Sequence, residues 1–270
     1  MQTKTKLRQT LSALILFTSL LAGVSSCKKD KGNDNNPAPQ PATAKLSEYK
    51  DGEDVLKFDY NTDGSVKKIT LKSEGTTNGN LIDYNISYTN DKKISTVLSS
   101  AGEKLVPVYE NGLMTSVGVF EGDEKTGFTN YQYHNGLLKK ATIFWGADTD
   151  FQAFLEFQFT YNNAGNLIRT DVMMATDVLG NLEPAGHTLY QHDDKVNPLF
   201  PYKDILALIW VAPSMNNIKQ EDHFDADQQL EDRFTYTYTY KANGLPDHGE
   251  SKSGLPGGPV TTTQIDFIYK

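Results

Sequence analysis

From Lys45 onward, apolar and polar residues alternate in short runs, and each run ends at a polar corner. Phe58-Asp59-Tyr60 leads into Asn61-Thr62-Asp63-Gly64 and leaves through Val66 and Ile69. The same order recurs at Val108-Tyr109 with Asn111-Gly112, at Tyr131-Gln132-Tyr133 with Asn135-Gly136, at Phe157–Tyr161 with Asn162–Gly165, and at Tyr236–Tyr240 with Asn243-Gly244. Degenerate copies stand at Tyr88-Thr89-Asn90-Asp91 and Phe224-Asp225-Ala226-Asp227. A period of two sends Phe157, Phe159 and Tyr161 to one face and Gln158 and Thr160 to the other, which predicts strands. Glycine and asparagine supply the positive φ that a tight reversal needs. A lone hairpin is marginal in water, so successive copies must pair and share a core. Their spacing of about 21 to 30 residues lies in the range where repeats signal an array.

One stretch breaks the alternation. Between the prolines at 201 and 213, Ile205, Leu208, Ile209 and Ala212 follow helical spacing. This predicts one short helix near 202–212, its apolar stripe covering an open end of the sheet. One more buried strand is the competing assignment. The expected fold is all-β: consecutive antiparallel hairpins forming a large curled sheet or open roll, with that single helix. The β-hairpin repeat domain is set at 45–270.

The first 26 residues differ in kind. Lys4, Lys6 and Arg8 precede an apolar run from Leu11 to Val24, and small residues lead to Cys27, the only cysteine. That order predicts a secretory signal peptide over 1–26. The run is shorter than the ~20 residues of a spanning helix. Cys27 resembles the lipobox cysteine of bacterial lipoproteins, whose thiol is lipidated after cleavage. Residues 27–44, rich in Asn, Pro and Ala, then serve as a flexible tether. Removal of Lys4, Lys6 and Arg8 with the leader takes the 26 basic residues to 23 against 34 acidic, moving the formal net charge from −8 to −11. Such a balance argues against nucleic acid and against electrostatic adhesion to anionic lipid.

The Tyr-x-Tyr, Asn/Asp, Gly, Leu pattern is similar to the YD repeats of Rhs-type proteins. The full layout also includes Asp193–Pro198 before the helix and Asn216-Asn217-Ile218 after it. It resembles an uncharacterised family of Bacteroidetes lipoproteins with YD-like hairpins. The resemblance implies a curling all-β sheet at the outer membrane or cell surface. It carries no activity and no catalytic residues. Large Rhs shells enclose toxins, whereas the copies here are too few to close such a cage.

Candidate chemistry is sparse. Asp59–Gly64 opens like a calcium loop, but Thr70 stands where the closing glutamate belongs, so a turn is the better reading. His187, His192, Asp193 and Asp194 fit no zinc spacing. Gly249–Gly254 reads as a flexible loop with no activated serine. No nucleophile elbow, phosphate-cradling loop or His-Glu-x-x-His occurs. Trp145, near Asp148 and Asp150, is the one candidate ligand platform, for a sugar ring or a protein partner. The competing assignment is a core tryptophan. The expected function is therefore non-catalytic: a lipid-anchored binding module of the envelope, monomeric, without cofactor or metal, meeting a glycan or an envelope protein. A purely structural envelope protein and a loop-sited glycan hydrolase are the alternatives.

Overall fold

The computed structural model describes residues 44–73, 80–147, 150–177 and 179–270; the leader, Cys27 and the tether up to 43 lie outside them. Sixteen strands stand among the described residues. They are β1 (Leu46–Asp51), β2 (Asp54–Tyr60), β3 (Val66–Lys72), β4 (Leu81–Tyr88), β5 (Ile94–Ser99), β6 (Glu103–Glu110), β7 (Leu113–Glu121) and β8 (Glu124–His134). The second half comprises β9 (Leu137–Ala147), β10 (Asp150–Tyr161), β11 (Leu167–Ala175), β12 (Leu182–Val196), β13 (Asn216–Asp225), β14 (Leu230–Tyr240), β15 (Pro246–Ser253) and β16 (Thr261–Tyr269). Each strand pairs antiparallel with its sequence neighbours, and β1 pairs with β16.

This last pairing corrects the expectation of an open sheet or roll: the hairpins close into a barrel. The seam runs from Leu46↔Tyr269 to Asp51↔Ile265, and Lys45 and Lys270 add two backbone hydrogen bonds of 3.1 and 2.9 Å. Closure removes both edges, whose unpaired N–H and C=O groups otherwise invite other chains. No helix is needed to cover an edge.

The tyrosines explain how the repeat closes. Tyr60, Tyr88, Tyr240 and Tyr269 each stand at the end of a strand on the inner face. Tyr88 donates its hydroxyl to the Val66 carbonyl (2.7 Å), and Val66 is the register partner of Tyr60. Tyr269 donates to the Pro246 carbonyl (2.9 Å), and Pro246 is the partner of Tyr240. Tyr60 donates to the Leu46 carbonyl, and Leu46 is the partner of Tyr269 across the seam. The Tyr88 repeat is thus latched to the Tyr60 repeat, the Tyr269 repeat to the Tyr240 repeat, and the first to the last. The Phe224–Asp227 copy falls outside this scheme: its turn lies at the opposite end of the barrel, and Phe224 packs on His187 on the outer wall.

The segment between β12 and β13 enters the barrel at the tyrosine end. Its regular part is shorter than the sequence suggests: one α-helical turn, α1 (Lys203–Leu206), between 3-10 turns at Phe200–Tyr202 and Ala207–Ile209. Asn197 starts it by accepting the Leu199 N–H. Trp210 ends it in the left-handed region at φ 62°, its N–H returning to the Ala207 carbonyl. The indole offsets that conformation by donating to Thr129 (3.1 Å) and stacking on Phe157. Tyr202 stacks on Phe58 at 4.4 Å, and Tyr131 donates to the Ala207 carbonyl. Leu206 through Ile209, Val211 and Ala212 are all buried, so the segment is a plug rather than a one-sided cover. Two gaps between plug and wall measure about 20 and 10 Å³, room for about one water each.

The alternation is apolar inward and polar outward. Leu56, Phe58, Ile69, Leu155, Phe157, Tyr236 and Ile265 fill the interior. The outer wall carries ion pairs along the strands: Lys68–Asp83 (3.3 Å), Lys140–Glu156 (2.8 Å), Arg169–Asp171 and Arg233–Asp222. A barrel that crosses lipid needs the reverse, an apolar outer band ~25 Å tall around a polar lumen.

Candidate functional site

The plug fills the tyrosine end, and polar chemistry gathers on the inner wall at the other end. On one side, β13 contributes Glu221 and His223, and β14 contributes Asp232, the register partner of His223. Alternation places Glu221 and His223 on the same face as buried Tyr190 and Tyr236. Glu221 is fully buried and meets His223 Nε2 at 2.9 Å. Burial works against a charged imidazole, yet this carboxylate holds the His223 pKa above its ordinary value. Two strands away, Ser251 donates to Asp51 (2.9 Å). Burial pushes the Asp51 carboxyl up to about 6, the Ser251 bond only partly opposing it. Tyr49, packed at a tilt against Phe267 and almost fully buried, has its hydroxyl beside these acids.

The facing wall brings Glu103 and Glu121 into direct register across β6 and β7. Burial raises the Glu103 pKa, and the Glu121 charge raises it further. Trp145 stands on the same wall. It follows Ala141 and Ile143 at a spacing of two in β9, both deeply buried, so its indole is turned inward. The ring lies across Gly127, where a Cβ would sit 2.9 Å from the indole. Any side chain at 127 displaces it. Trp145 is half-buried near the hairpin end of β9, and of its acidic neighbours in sequence Asp148 lies outside the described residues. Asp51, Glu103, Trp145, His223 and Asp232 are all partly exposed, whereas the level beneath them is sealed by Tyr49, Glu221 and Tyr236. The arrangement offers hydrogen-bond acceptors, one imidazole and an aromatic face to a small polar ligand. It presents no activated nucleophile.

The remaining sequence candidates are dispersed. His187 stacks on Phe224, His192 meets Ser214, and Asp193 accepts from Tyr240 and from the Lys195 N–H. No group of three or more His, Cys, Asp or Glu suited to a metal occurs among the described residues. Asp59 reaches Lys68 on the outer wall, while Asp63 accepts the Ser65 N–H and hydroxyl, so the calcium-like stretch is a capped turn. Ser251 and Ser253 belong to β15 and not to a flexible loop.

One pair escaped the sequence reading. His192 Nε2 and Ser214 Oγ lie 2.7 Å apart, the spacing of a base and its nucleophile. Ser214 is wholly buried, however, and its Oγ already accepts the Leu167 N–H at 2.9 Å. Burial, with Lys219 nearby, lowers the His192 pKa to about 4. The pair fastens the end of the plug to β11 and has no access for a substrate.

No family model matches the chain, and no curated protein is similar to it. Among solved structures, a porin-like protein of Bacteroides uniformis is similar with a TM-score of 0.59 and 14% identity, over 86% of this chain and 100% of that one. A porin-like protein of Bacteroides vulgatus aligns with a TM-score of 0.46 and 14% identity, over 84% of this chain and 99% of that one. The Tc holotoxin pore of Photorhabdus luminescens aligns at 0.34 and 10% identity, over 78% of this chain and 12% of that one. At such identity the first likeness speaks for the fold alone: a porin-like β-barrel.

Proposed function

We propose that this chain is a non-catalytic binding module of the bacterial cell envelope, carried on a lipid at Cys27, that takes a small glycan at the unplugged end of its barrel. The observation that carries the reading is the contrast between the two ends. One is packed with a plug, with gaps of about 20 and 10 Å³ between plug and wall. The other carries partly exposed Asp51, His223 and Asp232 on one side of its inner wall and Glu103 with half-buried Trp145 on the facing side. Carboxylates accept sugar hydroxyls, and an indole face stacks on a pyranose ring. The test is a glycan array probed with the mature chain and with Trp145→Ala and Asp51→Asn. Binding lost in both variants supports the site; binding unchanged in both removes it.

The porin-like fold favours a second reading, a channel through the outer membrane. Ion pairs such as Arg233–Asp222 and Lys140–Glu156 on the outer wall speak against it, since an Arg or Lys facing lipid at the midplane costs ~2–4 kcal/mol. Planar-bilayer recording decides between them: steady conductance from the purified protein establishes the channel, and its absence over many insertion attempts favours the binding module.

A further inference from the structure

The charged outer wall is interrupted in one sector. Across β6 to β10, direct register neighbours run Val106, Gly118, Phe128, Phe144 and Ala153, an uncharged row five strands wide. Phe128 and Phe144 stack at 4.5 Å with planes 9° apart, and Phe151 meets Phe128 edge-on at 5.4 Å. Phe120 folds over the bare Gly118 backbone, where a Cβ would sit 2.8 Å from its ring. The rings are only partly buried although they face away from the core. Monomeric surfaces seldom keep such a contiguous aromatic patch without a use for it.

The charges beside the patch point to its occupant. Lys125 Nζ lies 4.5 Å from the centre of the Phe128 ring, and Lys104 Nζ lies 5.1 Å from that of Phe120. Just beyond them, the tip of the β7–β8 hairpin exposes Asp123 and Glu124. Neither lysine nor either acid forms an ion pair among the described residues, whereas Lys68, Lys140, Arg169 and Arg233 on the wall do. A surface carrying both unpaired signs around an apolar centre is complementary to itself. We propose that this sector is an isologous dimer interface: a second copy, related by a two-fold axis, lays its Phe128–Phe144 stack on the first and sets its lysines against the acidic tip of its partner. A monomer was the expectation from sequence, and this sector is the observation that points elsewhere. The inference does not rest on the glycan site, which lies on the inner wall.

Sedimentation equilibrium of the mature chain carrying Cys27→Ala, without lipid or detergent, tests it. The expected result is a monomer–dimer equilibrium that Phe128→Ser with Phe144→Ser weakens at least tenfold, with an unchanged thermal transition as the folding control. Lys125→Glu and Asp123→Lys with Glu124→Lys each weaken self-association, and mixing the two charge variants restores a heterodimer. A monomer at every concentration, or a dimer indifferent to the phenylalanine and charge variants alike, overturns the proposal. So does failure of the mixed charge variants to associate better than either alone.

Discussion

Tyr60 donates its hydroxyl to the carbonyl of Leu46, and Leu46 is the residue that Tyr269 faces across the seam closing the barrel. The same hydroxyl lies 2.5 Å from that of Tyr202 in the plug. One phenol therefore joins the first repeat, the last repeat and the plug. Tyr60→Phe removes both bonds and is expected to cost about 1–2 kcal/mol in urea unfolding, at roughly 1 kcal/mol per hydrogen bond. Tyr88→Phe removes one and costs about half as much. Hydrogen exchange separates them further: the Lys45 and Lys270 amides exchange faster in Tyr60→Phe and not in Tyr88→Phe. Equal exchange in the two variants contradicts the latch.

The plug is the second element on which the interior depends. Phe157, about 1% exposed, stacks on Trp210 at 6.4 Å, and Trp210 is also held by Thr129. Phe157→Ala leaves a cavity that the flat indole cannot fill, with a cost of about 3–5 kcal/mol. Trp210→Ala costs a similar amount and frees the 203–211 amides to exchange before the strands do. Loss of less than about 1 kcal/mol in either shows that the plug is not packed as described.

How far these features are visible in the sequence depends on how local their causes are. The Asn111-Gly112 and Asn135-Gly136 corners were readable because both residues of each take positive φ, at 51° with 83° and 51° with 75°. The inward set Phe157, Phe159 and Tyr161 follows from alternation alone. Closure does not, because Leu46 and Tyr269 meet from opposite ends of the domain and nothing near either one announces the other. The one short helix was legible near 202–212, and its helical turns run over 200–209. Leu206, Ala207, Leu208 and Ile209 are buried in succession, so no apolar stripe marks where it ends. The inward turn of Trp145 is legible from alternation, since Ala141, Ile143 and Trp145 lie at a spacing of two. The Glu221–His223 pair gave no local signal, as Gln220, Glu221 and Asp222 are alike in sequence and only alternation turns the middle one inward.

Asp51 ties stability to pH. Its folded-state pKa is raised from 3.8 to about 6, so between those values the folded chain holds a proton that the unfolded chain has lost. Its contribution is fully present below about 4 and is lost as pH rises through about 6. Asp51→Asn keeps an acceptor for Ser251 without the charge, so it should flatten the decline between pH 4 and 7 and stabilise the barrel at pH 7. His192 acts with the opposite sign. Its pKa is lowered to about 4, so its contribution is present above 6.5 and lost as pH falls. The slope for Asp51→Asn must therefore be compared with the unmodified chain. Identical slopes in guanidinium unfolding at pH 4.5, 5.5 and 7 assign the pH dependence to other groups.

The address of the protein is open to a separate test. A bilayer-spanning barrel is held by its whole lipid-facing wall, and removing one thiol leaves it in place. This barrel's outer wall carries ion pairs at mid-strand, and the proposed anchor assigns attachment to acyl chains on Cys27, each buried methylene contributing ~0.8 kcal/mol. Cys27→Ala should therefore move the domain from the membrane pellet to the soluble fraction, with its thermal transition unchanged because the described barrel begins beyond the tether. The aromatic sector around Phe128 provides the internal control: Cys27→Ala combined with Phe128→Ser and Phe144→Ser must fractionate as Cys27→Ala does. Retention of Cys27→Ala in the pellet through high-salt washing, reversed only when the phenylalanines are also replaced, transfers the attachment from the lipid to that sector and removes both the anchor and the dimer interface from this account.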